Sequence, residues 1–101
     1  MTVTLKLSVT LRAAAQIERA DRWWSENRLS APEALREDIE SAFGVLLRQP
    51  GIGTKLVNAK VSGVRRLHLG RIRYFLYYRV KEGELVVLAF WQSSRGKGPA
   101  L

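Results

Sequence analysis

Apolar residues in the second half of the chain recur with the spacing of β-strands. In residues 64–92, VRRLHLGRIRYFLYYRVKEGELVVLAFWQ, Leu67 and Leu69 alternate with polar residues, as in a strand with one buried face. Residues 72–80 are dense in aromatic and branched side chains that suit a pleated sheet, and residues 85–91 are apolar on both faces. Turn signals separate the three runs, which predicts three consecutive antiparallel strands. The last strand needs cover on both sides, so it should lie inside the sheet.

The first half of the chain begins with one more strand and then changes period. An apolar residue at every second position, at Val3, Leu5, Leu7 and Val9, predicts a strand that joins the sheet. Over residues 11–28 and 31–48, apolar residues instead recur at the i, i+4, i+7 and i+11 spacing of one helix face. The apolar positions are Ala13, Ile17, Ala20 and Trp24 in the first helix, and Leu35, Ile39, Ala42 and Leu46 in the second.

The two predicted helices are separated by a short break, so together they form a hairpin. Ser30 and Glu33 have the spacing of a capping box at the start of the second helix. The predicted fold is therefore α+β, in the order β-α-α-β-β-β, with the helical hairpin packed on one face of a four-stranded, mostly antiparallel sheet. Residues 1–101 form one domain, and residues 93–101 are predicted to be a flexible tail.

Charge is divided unevenly along the chain, whose net charge is +8. Residues 1–47 carry a net charge of −1 and residues 48–101 a net charge of +9, so the sheet half favours a polyanionic partner. The lack of cysteine and the single histidine leave no ligand set for a metal ion, and no cofactor is predicted. Without a signal-peptide pattern or an apolar run near the roughly 18 residues of a membrane span, a cytoplasmic protein that does not contact membranes is expected.

Several residues stand in an order that is specific when taken together. An L-x-x-x-P-x-x-G pattern, from Leu46 through Pro50 to Gly53, ends the second predicted helix. It is followed by Val64-Arg65-Arg66, Tyr74, Tyr78-Arg79-Val80 and, after the last strand, Arg95. With these residues and this order of elements, the chain resembles the RelE/ParE superfamily of bacterial type II toxin–antitoxin systems over residues 3–97.

The resemblance implies one of two functions, each silenced by a cognate antitoxin. RelE-like members cleave messenger RNA in the ribosomal A site, whereas ParE-like members poison DNA gyrase and have no nuclease activity. RelE-like enzymes bring a cluster of basic residues, often with a tyrosine near the C-terminus, to the scissile phosphate, and here no tyrosine follows Arg95. Many ParE-like sequences have a histidine at the end of the last strand, where this chain has Gln92. The ParE-like side is favoured.

The sequence offers two sets of candidate site residues. Arginines interleaved with aromatic residues suit the binding of phosphates and stacked bases, or of an acidic protein; if the aromatics are core, the arginines only keep the sheet soluble. The candidate binding residues for a target or antitoxin are Arg65, Arg66, Arg71, Arg73, Arg79, Trp91 and Arg95. RNA cleavage would need a base, an acid and cations around one phosphate. That alternative uses Arg65, Arg66, His68 and Arg95, although a strand histidine with no chemical task is the simpler interpretation of His68.

The resemblance therefore implies a ParE-like toxin that inhibits DNA gyrase by binding, without catalytic residues, and that is neutralised by an acidic antitoxin. One alternative is a RelE-like, metal-independent endoribonuclease that acts on messenger RNA on the ribosome. Another is a non-toxic interaction module, because one fold can serve unrelated functions.

Overall fold

The helices and strands follow the predicted order in the computed structural model, which describes residues 5–101. The elements are β1 (Lys6–Val9), α1 (Leu11–Asn27), α2 (Ala34–Arg48), β2 (Thr54–Lys55), β3 (Arg65–Leu69), β4 (Tyr74–Lys81) and β5 (Glu84–Gln92). The sheet has the strand order β1-β5-β4-β3-β2, in which β1 and β5 are parallel and the other neighbours are antiparallel. The α+β architecture is confirmed, and β5 lies inside the sheet as predicted.

The sheet differs from the prediction in its number of strands and in where two strands begin. The additional strand is β2, which pairs with the start of β3 and, at two residues, is too short to show a period in the sequence. Val3 lies outside the described residues, within which β1 begins at Lys6. β4 begins at Tyr74, because residues 70–73 form a turn in which Arg73 has a φ of 60°. Ile72 is nevertheless buried, although it lies in the turn.

The link between the helices is held by a hydrogen bond from Trp24 rather than by the predicted capping box. Glu33 is the N-cap of α2, and no side-chain hydrogen bond caps the helix there. Residues 30–33 form turns, and the Trp24 indole Nε1 donates to the Ala31 carbonyl at 2.9 Å. The side-chain cap is found instead on α1, where the Thr10 hydroxyl accepts from the Ala13 amide at 3.1 Å.

The two helices cover one side of the sheet, which we call the helix face. The predicted helix stripes meet the sheet there and form the main core. Its largest fully buried side chains are Tyr78, Leu35, Leu46, Leu76, Leu85 and Val87. Tyr74, Leu76 and Tyr78 alternate along β4 toward this side. Burial of this apolar surface is the main source of stability for the fold.

The opposite side of the sheet, which we call the far face, carries Arg66, His68, Phe75, Tyr77 and Trp91. A smaller core lies at one end of it, where Val64, Tyr77 and Ala89 are buried beneath residues 56–61 and Leu101. Residues 93–101 contain no helix or strand. Two hydrogen bonds attach them to the rest of the protein, one from the Trp91 indole Nε1 to the Lys97 carbonyl (2.6 Å) and one from the Lys60 amide to the Leu101 carbonyl (2.7 Å). The flexibility of this tail stays a prediction.

Candidate partner-binding surface

Arginine and aromatic side chains meet on the far face in a row that crosses three strands. His68 on β3 pairs with Phe75 on β4, and Phe75 pairs with Trp91 on β5. The His68 and Phe75 rings are 4.9 Å apart between centroids, and the Arg66 guanidinium lies 4.1 Å from the centroid of the Phe75 ring. At the other end of the row the Arg95 guanidinium lies 4.4 Å from the Trp91 ring. These contacts orient two cations over rings. Arg95 is exposed, whereas Arg66 is half-buried and its Nη1 also donates to the Tyr77 hydroxyl at 3.5 Å.

Arg65 lies on the helix face, although its neighbour Arg66 lies on the far face. Alternation along β3 places Arg65 on the same side as Leu67 and Leu69, which pack against the main core. Its Nη1 donates to the carbonyls of Gly53 at 2.8 Å and Gly51 at 3.2 Å. The guanidinium is therefore occupied by the loop that follows α2.

The same loop is held by Tyr78 from the middle of β4. The Tyr78 hydroxyl donates to the Pro50 carbonyl at 2.7 Å and accepts from the Gly53 amide at 2.9 Å. Burial raises the pKa of this phenol, and the hydrogen bond from Gly53 and the nearby Arg65 oppose the rise. A Cβ at residue 53 would lie 2.5 Å from the Tyr78 hydroxyl oxygen, so only glycine fits. Pro50, Gly53, Arg65 and Tyr78 thus form a structural unit, which we call the loop clamp.

Two further predicted binding residues are tied to the protein itself. Arg71 donates from Nε and Nη2 to the two carboxylate oxygens of Asp38, at 3.0 and 2.5 Å, and so joins the β3–β4 turn to α2. The pKa of Arg71 is raised above its ordinary value by this hydrogen-bonded pair. Arg79 is half-buried, and its Nη1 donates to the Ser62 carbonyl at 3.5 Å while its buried Nε has no partner within the described part of the chain. Arg73 is exposed, and its carbonyl accepts from the Ser93 amide and hydroxyl, both at 2.9 Å.

The residues of the nuclease alternative are brought together only in part. Arg66 and His68 share the far face and both contact Phe75, and Arg95 reaches the same row through Trp91. Arg65 is on the other side of the sheet, in the loop clamp. Among residues 5–101, moreover, no group of three His, Cys, Asp or Glu side chains is placed to hold a metal ion.

Comparison with known proteins assigns the chain to a family. The family model for ParE toxins of type II toxin–antitoxin systems, parDE, matches residues 7–96. The chain belongs to the ParE toxin family. The match runs from within β1 to just past Arg95, so it includes both faces of the sheet and the loop clamp. It confirms the resemblance to the RelE/ParE superfamily that the sequence motifs indicated. No curated protein sequence matches the chain.

Solved structures share the fold of this chain. A chain from the chromosomal ParDE toxin–antitoxin system of P. aeruginosa is 25% identical, with a TM-score of 0.70 over 90% of this chain and 98% of that one. A chain of the RelBE2 toxin–antitoxin complex from Mycobacterium tuberculosis is 23% identical, with a TM-score of 0.64 over 89% of this chain and 99% of that one. A conserved hypothetical protein from Helicobacter pylori has the same fold at 16% identity, a TM-score of 0.55 and coverage of 89% and 96%.

Two of the concave regions of this ParE-family chain bear on partner binding, and the sequence does not reveal them. One, between α1 and the ends of β4 and β5, has a volume of about 180 Å³ and is lined by Arg19, Tyr74 and Arg95 among others. The other is an apolar groove of about 420 Å³ between α1 and α2, lined by Ile17, Phe43 and their neighbours. Helix periodicity places Arg19 off the buried stripe but cannot show that it approaches Tyr74 and Arg95, which are distant in sequence. Within residues 5–101 no helix has the length and apolar character of a membrane span.

Proposed function

We propose that this ParE-family protein is a toxin that binds and inhibits DNA gyrase without catalysis. Family membership supports a toxin of a type II toxin–antitoxin system. The observation that carries the choice of a binding mechanism is the position of Arg65, whose guanidinium is held by the Gly51 and Gly53 carbonyls on the helix face. A nuclease needs its cations and its base around one phosphate, and this arginine is kept away from Arg66 and His68 by the sheet itself.

We further propose that a cognate acidic antitoxin neutralises the protein. Two of the solved relatives named above come from a ParDE system and a RelBE2 complex, each of which pairs a toxin with an antitoxin. The net charge of +9 over residues 48–101 favours fast association with an acidic polypeptide. The groove between α1 and α2 adds a place for apolar anchors, because Ile17, Ile39 and Phe43 line it. Glu18, Asp21 and Glu40 also line this groove, so the acidic residues of the segment would lie on the basic sheet half rather than in the groove. An antitoxin segment that combines acidic residues with apolar anchors fits both features.

A RelE-like endoribonuclease is the second candidate, and the far-face row favours it. Arg66, His68 and Arg95 are linked there through Phe75 and Trp91. Such a row could bind a single-stranded message through stacking and cation contacts, as in other single-strand binding proteins. His68 is exposed and is therefore accessible to a substrate. In this alternative His68 acts in proton transfer and the two arginines stabilise the charge that develops on the phosphate.

Two assays on the purified protein separate these functions. We expect it to inhibit supercoiling of relaxed plasmid by gyrase and to leave messenger RNA on stalled ribosomes intact, as read by primer extension. Protein premixed with its antitoxin serves as the control in both assays. Codon-positioned cuts with unaltered supercoiling would replace the gyrase proposal with the nuclease.

Substitution of His68 gives an independent test in cells. Loss of a proton-transfer residue typically lowers a catalytic rate by about 10²–10⁴-fold, whereas loss of one exposed contact weakens binding gradually. We therefore expect His68→Ala to leave growth inhibition nearly unchanged. Val57→Ala, at a side chain that is 90% exposed and outside the far-face row, is the matched control. Complete loss of toxicity in His68→Ala, with folding intact by circular dichroism, would favour the nuclease.

A further inference from the structure

The concave region between α1 and the sheet collects side-chain donors that the rest of the protein does not use. It lies where Arg19 and Gln16 of α1 meet Tyr74, at the start of β4, and Arg95, beyond β5. The pairing of β1 with β5 ends at Val87, so β1 does not bond the Phe90 amide. That amide instead donates to the Gln16 side-chain oxygen at 2.8 Å. We call this region, with its volume of about 180 Å³, the Arg19–Arg95 pocket.

The guanidinium groups of this pocket, like those of most arginines in the described chain, have no acidic partner. Two arginines outside it form ion pairs, Arg36 with Asp21 and Arg71 with Asp38. Within residues 5–101 neither Arg19 nor Arg95 forms an ion pair, and the pocket lining contains no carboxylate. The Tyr74 hydroxyl, unlike that of Tyr78, has no hydrogen-bond partner in the same part of the chain.

The walls of the pocket restrict what can occupy it. The Tyr74 ring stacks on Phe90 with centroids 4.4 Å apart and an interplanar angle of 3°, and the Trp91 ring lies under the Arg95 guanidinium. Tyr74 and Phe90, both in the main core, form the apolar floor of the pocket, and Trp91, whose ring lies on the far face, holds the Arg95 guanidinium at the end of β5. The volume of about 180 Å³ is below the roughly 300–1,000 Å³ of sites for small-molecule ligands. One amino-acid side chain with a short apolar stem and an anionic end matches both the floor and the donors.

We propose that the Arg19–Arg95 pocket binds the carboxylate of one glutamate or aspartate side chain from an acidic polypeptide segment. Arg19 and Arg95 donate to the carboxylate oxygens, the Tyr74 hydroxyl donates a further hydrogen bond, and the side-chain methylenes rest on the aromatic floor. The inference deepens the proposed function and rests on it only for the source of the segment, which would be the antitoxin. A nucleotide would need room for a base as well as a phosphate, and the pocket volume favours the smaller group.

The test uses an acetylated, amidated hexaglutamate peptide and the arginine Nε–H signals in ¹⁵N-resolved NMR spectra. At about 0.15 M salt, where the Debye length is about 8 Å, we expect the Arg19 and Arg95 signals to shift together and saturably. Arg19→Gln and Arg95→Gln should each weaken peptide binding by about tenfold or more, as expected for the loss of a hydrogen bond to a charged group. Tyr74→Phe, which keeps the aromatic floor, should weaken peptide binding about twofold.

Arg22→Gln is the matched control, because it removes the same charge from α1 at an exposed position outside the pocket. If Arg22→Gln weakened peptide binding as much as Arg19→Gln does, the proposal would be overturned. The peptide would then respond only to the general positive charge of the protein. Equal binding of a hexaglutamine peptide, or preferential binding of a heptathymidylate with six phosphodiesters, would also overturn it. Gyrase takes no part in this titration. A failure of the peptide to bind would therefore leave the proposed gyrase inhibition standing, and a failure to inhibit supercoiling would leave the proposed carboxylate site standing.

Discussion

The two faces of the sheet use the same residue types for different purposes. On the helix face, the polar atoms of Arg65 and Tyr78 bind backbone groups of the loop after α2. On the far face, Arg66 and Arg95 lie over aromatic rings, and their donors are not consumed by carbonyls in the same way. An arginine in this fold is therefore structural where a nearby loop offers carbonyls, and available to a partner where the neighbours are rings.

The tyrosines of β4 repeat this division within a single strand. Tyr78 is fully buried and makes two hydrogen bonds with backbone groups, whereas Tyr74, four residues earlier on the same face, lines an open pocket. Burial raises the pKa of both phenols, and the Arg95 guanidinium opposes the rise at Tyr74. Position along the strand, rather than residue type, decides which tyrosine stabilises the fold and which is available to a partner.

The largest expected effect comes from breaking the loop clamp at Gly53. In Gly53→Ala the new Cβ would lie 2.5 Å from the Tyr78 hydroxyl and 3.0 Å from the Arg66 carbonyl, so the loop or the tyrosine must move. We expect the free energy of unfolding to fall by about 3 kcal/mol, the upper end of typical overpacking losses. Gly51→Ala is the control, because nothing lies within 4 Å of a Cβ there, and it should change stability by less than about 0.5 kcal/mol. Equal urea midpoints for the two variants would contradict the clamp.

Much of the fold could be predicted from the sequence, because period and burial agree over most of the chain. The stripes of α1 and α2 and the apolar run of β5 each point to the core that the structure contains. The parts of the fold that the sequence does not predict have no periodic pattern of apolar residues. Two residues are too few to mark β2, and the cover of the far face comes from residues 56–61 and Leu101, whose positions depend on contacts between distant parts of the chain.

The candidate site could be predicted less well, because side-chain partners cannot be inferred from spacing alone. Adjacency in sequence groups Arg65 with Arg66, although the position of Arg65, two residues before Leu67, already places it on the buried side. The pairing of Arg71 with Asp38 joins residues of different elements and leaves no local signal. Arg19 escapes prediction for the same reason, since only the folded structure brings α1 next to Tyr74 and Arg95.

The two tyrosines provide a comparison of intermediate size. Tyr78→Phe removes both hydrogen bonds of the hydroxyl and leaves the buried Gly53 amide without its partner, so we expect a loss of about 1–3 kcal/mol at pH 7 by urea denaturation. Tyr74→Phe removes a hydroxyl with no partner in the described structure and should stay within about 0.5 kcal/mol. A smaller loss for Tyr78→Phe than for Tyr74→Phe would show that the division within β4 is wrong.

Alkaline pH should make these two positions behave alike. Since burial raises the folded-state pKa of both phenols above the unfolded value of about 10, their neutral forms stabilise the folded protein fully below that pH. The contribution is lost as pH rises through the folded-state pKa values. The double variant Tyr74→Phe/Tyr78→Phe should therefore lose stability less steeply above pH 10 than the parent protein, in denaturation series from pH 8 to 11. Parallel slopes would mean that neither phenol is coupled to folding.

The smallest expected change in stability, and the most direct test of the two faces, compares Arg65→Met with Arg66→Met. Methionine keeps an apolar stem but cannot donate, so Arg65→Met frees the Gly51 and Gly53 carbonyls and should lower the free energy of unfolding by about 1 kcal/mol. Arg66→Met loses a contact with Phe75, to which a thioether can still pack, and a long hydrogen bond of 3.5 Å to the Tyr77 hydroxyl, and should change stability by less than about 0.5 kcal/mol.

Growth inhibition per amount of folded protein should rank the same two variants in the opposite order. Arg66 faces outward beside the aromatic row and is available to the target, whereas Arg65 is occupied by the loop clamp. We therefore expect Arg66→Met to weaken toxicity severalfold and Arg65→Met to leave it nearly unchanged once expression is matched. If Arg65→Met were the less toxic variant at equal folded amounts, Arg65 would contact the target. The helix face would then take part in target binding as well as in holding the loop clamp.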